Sequence, residues 1–228
     1  MRFRYLLFIA VIFAITGYSC KQIGGKYLNQ GEIHYNIDYR GNFGPMPKEL
    51  LPKNLIVSFK NDKILFEMIS SFGNSGIFNL SNQEKGIFDT YFSLFSLKYF
   101  YPLKPGEQFP GFEAMNGMVI TKTTKTSLIC GFNCKNAQAT FPAYTGKVYE
   151  IWYTNEINVK NPNTATPFEQ IDGVLMSFFF FLGPAELHFN AETVYKKEIP
   201  DLAFERREKF MQVSREKINK FINQMISL

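Results

Sequence analysis

The residues able to do chemistry are few, and their spacing does not assemble a catalytic set. There are two histidines and three cysteines in 228 residues. His34 lies in GEIHYNIDYR, alternating with Glu32, Asn36 and Asp38 on the polar side of a strand pattern. His188 alternates with Glu186 and Asn190 in the same way. A general base needs a partner that orients it, and neither histidine has one that the sequence can name. Both read as solvated strand residues. No GxSxG, HExxH, Walker or GxGxxG pattern occurs. Cys130 and Cys134, with two distant histidines, do not make a zinc ligand set. In one extended strand, four residues span roughly 13 Å, beyond the ~7 Å limit for a disulfide. A bridge would need a turn, which Gly131 could supply; free, buried thiols are the expectation. No catalytic residue, metal or cofactor is expected, and the chain reads as a non-enzyme.

The third cysteine, Cys20, follows a different kind of segment. Met1-Arg2-Phe3-Arg4 is basic, and Tyr5 to Thr16 is almost wholly apolar. That is the layout of a secretory signal over residues 1–19, too short to span a bilayer. Gly17-Tyr18-Ser19-Cys20 resembles the lipobox of bacterial lipoproteins, with Gly17 where an aliphatic residue is usual. The resemblance implies cleavage before Cys20, a diacylglyceryl thioether on its thiol and an acyl chain such as palmitate on its amine. Several chains anchor stably where one does not. Residues 20–30 then form a tether. Lys21 is not the Asp that retains such proteins at the inner membrane, and the first acid is Glu32. The expected place is the outer membrane, facing the periplasm.

The 209 residues left after the signal suit one domain. Net charge is +5, of which Arg2 and Arg4 supply two, and no Lys/Arg run exceeds two residues, so a nucleic-acid partner is excluded. The chain is 46% hydrophobic, with 25 Phe, 12 Tyr and one Trp. Such aromatic content favours strands.

Strands are expected at 31–40, at 55–60 and 63–69 around an Asn61-Asp62 turn, and at 76–80. Apolar positions 88, 91, 92, 95 and 99 predict a short apolar helix near 88–100, capped by Asp89 and closed by Pro102. Strands return at 117–124, 126–132, 134–141 and 147–154. After a loop over 155–172, VLMSFFFFL (174–182) leads through Gly183-Pro184 into a last strand over 185–195. Positions 204, 211, 218, 222 and 225 share a helical face, predicting an amphipathic helix over 202–226 with Asp201 as its cap. That helix packs on the domain or faces a membrane or partner.

Four consecutive Phe at 178–181 place two rings on each side of a strand. Both sides must then be covered. Either the rings pack against the protein itself, or the sheet curls around an apolar cavity, with Phe66, Trp152, Phe178 and Phe180 in its wall.

Lys125, Thr126, Gly131, Phe132, Cys134, Lys135, Trp152, Thr154 and Ile157 carry a resemblance to a family of exported bacterial proteins that is defined only as a domain of unknown function. Gly31-Glu32-Ile33 with Tyr35, and Gly173-Val174-Leu175, fit its first and a later strand. The neighbouring GLPGLI-type family has a similar strand series, but its namesake motif is missing. The resemblance covers about 31–200 and implies a fold similar to the lipoprotein carriers LolA and LolB.

The expected architecture is therefore α+β: a strongly curved antiparallel half-barrel over 31–200, a short apolar helix, and a C-terminal helix over 201–228. The expected function is binding of a lipid, acyl chain or other apolar envelope molecule. The alternative is a non-catalytic structural or interaction lipoprotein whose interior is filled by its own side chains.

Overall fold

The computed structural model describes residues 27–41, 51–70, 75–142, 146–182 and 185–227, with side chains described up to 224. The signal, Cys20, most of the tether and the Gly183-Pro184 turn lie outside them. In chain order the strands are β1 (Gln30–Gly41), β2 (Asn54–Lys60), β3 (Lys63–Ile69), β4 (Gly76–Asn82), β5 (Ile87–Leu94) and β6 (Leu97–Pro102). β7 (Val119–Ile129), β8 (Phe132–Thr140), β9 (Tyr149–Thr154), β10 (Val174–Leu182), β11 (Ala185–Tyr195) and β12 (Met211–Gln212) follow, then helix α1 (Arg215–Ser227).

All twelve strands form one sheet, ordered β12-β6-β5-β4-β3-β2-β1-β11-β10-β9-β8-β7. Two antiparallel meanders, β1 to β6 and β7 to β11, are joined by the long β1–β11 pairing. The parallel β12–β6 pair makes the sheet mixed. The sheet is not closed into a barrel, since β7 and β12 are its two ends.

It is nonetheless curved. β4 and β10 stand five strand steps apart in the order, which on a flat sheet is roughly 24 Å. Side chains from both nevertheless wall one cavity. Beyond β9, a parallel bridge Leu28↔Ile157 brings the segment before β1 against the segment after β9. Tyr27 N donates to Glu156 O at 3.1 Å, and Asn158 N to Leu28 O at 2.7 Å.

The predicted helix near 88–100 is instead the β5–β6 hairpin, turning at Phe95-Ser96. The error has a physical source. Thr90 and Phe92 are buried on one side of β5, Asp89 and Tyr91 on the other. Burial on both sides erases the alternation that betrays a strand, and the surviving apolar spacing imitates a helix. The turn carries no Asn-Gly signal: Phe95 takes a positive φ of 53° while 73% exposed.

The predicted helix over 202–226 is corrected as well. Asp201–Phe204 is a 3-10 turn, an extended stretch carries β12, and only Arg215–Ser227 is α-helical. Asp201 caps no α-helix; its carboxylate accepts from Lys60 and Lys63 at 3.1 and 3.4 Å. The hydroxyl of Ser214 accepts from Lys217 N at 3.3 Å and starts α1. Phe204 and Met211 share a helical offset but not an environment, being 0% and 59% exposed.

This tail wraps the sheet edge. Ile199 and Phe204, with Phe210 beside them, cover Leu65, Phe78, Leu80, Tyr91 and Phe100 on the outer side of β3–β6. The chain then pairs with the edge of β6, and α1 lies on the inner side. There Phe221 stacks on both Phe92 (5.4 Å) and Tyr99 (5.0 Å). Burying Phe204 completely contributes on the order of 1.5–3 kcal/mol.

A polar clasp fixes the outer strap. Arg206 grips Asp89 with two bonds of 2.8 and 2.9 Å, and the Asp89 side chain is fully buried. Tyr91 Oη donates to the same carboxylate at 2.8 Å and accepts from Arg207 N at 3.1 Å. Arg207 reaches Glu67 at 3.0 Å and lies over the Phe78 ring at 4.4 Å. Burial and the neighbouring carboxylate push the Tyr91 phenol well above its ordinary range.

Replacing Arg206 with Ala strands Asp89 without its cation. Urea unfolding should show a loss of about 2–3 kcal/mol, the low end for a broken buried pair because Arg206 itself reaches solvent. Arg206→Lys should recover only part, since an ammonium cannot hold both carboxylate oxygens.

Candidate functional site: an apolar cavity under the terminal helix

Between the β2–β4 wall and β10 lies a cavity of about 70 Å³. Leu55, Phe66, Met68 and Ile77 form one side, and Leu175, Phe178, Phe180 and Leu182 the other. Phe168 from the 155–172 loop, the Pro110–Phe112 segment and Ile222 of α1 close it.

β10 supplies its rings by strand alternation. Phe178 and Phe180 stack on either side of Phe189, each at 4.8 Å. Phe179 and Phe181 face the other way, the first stacked on Tyr149 at 4.3 Å, the second 5.1 Å from Phe141. Most of the ring surface thus packs on itself, and the cavity is the remainder. Of the four aromatic residues expected in the wall, Phe66, Phe178 and Phe180 are there. Trp152 is not. It is half-buried on β9, opposite Asn136 and Ser177, while its neighbours Ile151 and Tyr153 are buried. The apolar Trp-containing segment marked the strand but not the side on which its ring would fall.

The lid is held by polar bonds. Arg215 donates to Gln108 O at 2.8 Å and to Glu113 at 2.9 Å. Asn219 donates to Glu113 at 2.8 Å, and Gly111 N donates to Asn219 Oδ1 at 3.1 Å. Gly111 sits at φ +97°, and a Cβ there would come within 3.3 Å of Ile222, so glycine lets the loop and helix meet. Burial works against ionising Glu113, but Asn219 and Arg215 hold its carboxyl below the usual range.

The wall also contains three polar residues, Asn79, Asn163 and Thr166. Asn79 Oδ1 accepts from Thr90 Oγ1 at 2.8 Å. The amide of Asn163 ties down Ile171 O and Gly173 O at 2.7 and 2.9 Å. Sequence reasoning missed both asparagines, and also the lid residues. An Asn in a strand or a loop carries no signal of which cavity it faces.

The histidines form local pairs. His34 and Glu32 are 3.4 Å apart, as are His188 and Glu186. Burial, with the Arg40 charge added, lowers the His188 pKa, against the pull of Glu186 and Asp38. Among the described residues no group of three or more metal-ligating side chains occurs. Cys130 and Gly131 form the two-residue turn between β7 and β8, with φ of 51° and 81°. The expected breaks near 125 and 133 were misplaced. β7 runs through, with Thr123–Lys125 bulged between the pairs Lys122↔Ala137 and Thr126↔Lys135. Neither cysteine is in a disulfide; the Cys130 thiol meets Ala191 O at 3.3 Å, and burial pushes that of Cys134 up to about 12, which keeps Cys134 inert as a nucleophile.

No family profile matches the chain, and no curated protein sequence does. Among solved structures it is similar to PNGF-II in the P21 space group, with a TM-score of 0.53 and 17% identity over 87% of this chain and 34% of that one. The C2 crystal form gives 0.52 and 15%, over 86% and 32%. The likeness is one of fold, and the chain spans about a third of the length of PNGF-II.

His188 gives the site's outer neighbourhood a pH signature. Its folded pKa lies below the ordinary 6.5. The unfolded chain therefore takes up the proton more readily, and the stability His188 lends is present above that value and lost as pH falls through it. Urea midpoints measured between about pH 7.5 and about pH 5.5 should fall in the parent protein and fall less in His188→Gln.

Proposed function

We propose that this chain is a non-catalytic binding module of the bacterial envelope, anchored through Cys20, that takes an acyl chain or other apolar molecule between β2–β4 and β10. The observation that carries the reading is the cavity itself: an apolar space walled by strands from distant parts of the sheet, closed by a helix and loop held with polar bonds. At about 70 Å³ it has the volume of roughly two waters, against the 300–1,000 Å³ usual for ligand sites. The described state is then the closed one, and a chain-like ligand enters by displacing Ile222 and the Pro110–Phe112 segment. The resemblance in residues 122–154 supports the finer comparison with LolA and LolB.

A second reading is favoured by the small volume. The interior is filled by the protein's own rings, and the lipoprotein acts through its surface on a protein partner. Uptake of the neutral dye N-phenylnaphthylamine by delipidated protein separates the two. Binding is expected, and Arg215→Ala, which loosens the lid, should strengthen it about tenfold. Dye fluorescence unchanged in both proteins leaves the self-filled reading.

Anchoring is tested separately. Metabolic labelling with palmitate should mark the parent chain and not Cys20→Ser, and the variant should leave the membrane fraction. Equal labelling of the two would end the lipoprotein assignment.

A further inference from the structure

The cavity wall carries a hydrogen-bonding code. Thr90 occupies the oxygen of the Asn79 amide, and no protein acceptor among the described residues takes its Nδ2 hydrogens. Asn163 has the converse arrangement. Both of its amide hydrogens are engaged by Ile171 O and Gly173 O, so the orientation of the group is fixed, and no protein donor among the described residues reaches Oδ1. Asn163 is 3% exposed. Thr166 is self-satisfied: its hydroxyl donates to Asn163 O at 2.7 Å and accepts from Phe168 N at 3.2 Å. The cavity therefore offers one spare donor on the β4 side and one spare acceptor on the loop side. Every other wall residue is apolar, and none of the wall residues is ionisable.

We propose that the cavity selects a neutral ligand with an apolar body and one hydroxyl or similar uncharged donor–acceptor group, and rejects carboxylates and other ions. This rests on the binding reading above. The reasoning is one of costs. Neither the Asn79 nitrogen nor the Asn163 oxygen is sealed from solvent, so a hydrocarbon that fills the cavity strips water from both amides, whereas a ligand that hydrogen-bonds them replaces that water. An anion could accept from Asn79, but it would face the Asn163 oxygen and find no cation in the wall, which makes its desolvation unfavourable.

The test uses n-butanol, pentane and butyrate, which share a chain and differ in the head group, titrated into the full mature chain. Amide and methyl NMR shifts of the wall residues report occupancy. Butanol should bind about tenfold more tightly than pentane, and butyrate at neutral pH should be weaker still. Asn79→Leu removes the spare donor and should bring butanol and pentane to within about twofold. Asn163 pins the loop through both of its amide hydrogens, so it stays unchanged in every variant tested. Equal binding of butanol and pentane by the parent chain means the amides are satisfied by water; this inference then falls and the binding reading stands. Butyrate binding as well as butanol also overturns it. If no probe moves the wall resonances, while the same spectra report a folded chain, the binding reading falls with it.

Discussion

Strands with apolar residues on both sides impose the central constraint. β3, β4, β5, β6 and β10 each bury neighbouring residues in opposite directions, as Tyr91 and Phe92 do, or Phe178 and Phe179. A sheet of this kind is stable only if each side is roofed, and twelve strands are too wide for one helix to roof. The protein meets this in two ways. It curls, so that β4 and β10 serve as roof for each other, and it folds its own tail around the edge, so that one segment shields the outside and the next the inside.

Apolar burial does not specify where along the sheet the tail should lie, and the polar contacts supply that register. Asp89 is buried between Arg206 and Tyr91, and Asn82 donates to Phe204 O at 3.1 Å. Lys60 and Lys63 meet Asp201 at the near end of the strap. Exposed pairs such as the last contribute little energy, but a buried bidentate grip tolerates no sliding. Arg215 and Asn219 play the same part for α1, with Glu113 as their common acceptor. These contacts fix where the helix and loop lie over the cavity.

How much of this was legible in the sequence follows from the same constraint. Wherever one side of a strand meets solvent, the alternation is readable: β1, β2 and β11 fall within a residue or so of expectation. Where both sides are covered, as in β5, the pattern loses its period and a helix was inferred. The run at 178–181 told that both sides of its strand must be covered, but not which pair of rings would face the cavity and which would pack on Tyr149 and Phe141. The side of Trp152 was not legible either, because it depended on a pairing register with Ser177 that passes through a bulge. The tail misled for another reason. A spacing of seven is as compatible with two unrelated contacts on an extended chain as with one helical stripe. The clasp to Asp89 is a contact across 117 residues, which no local pattern reports.

The wrapped tail also bears on biogenesis. Residues 199–222, which shield both sides of the sheet around the third to sixth strands, are synthesised after the strands they cover. Until the tail arrives, the N-terminal meander stands with its outer rings bare and the edge beside Tyr99 unpaired. That surface, with an open strand edge beside exposed rings, is prone to self-association. A chain that stops before Phe204 would be trapped in that sticky state.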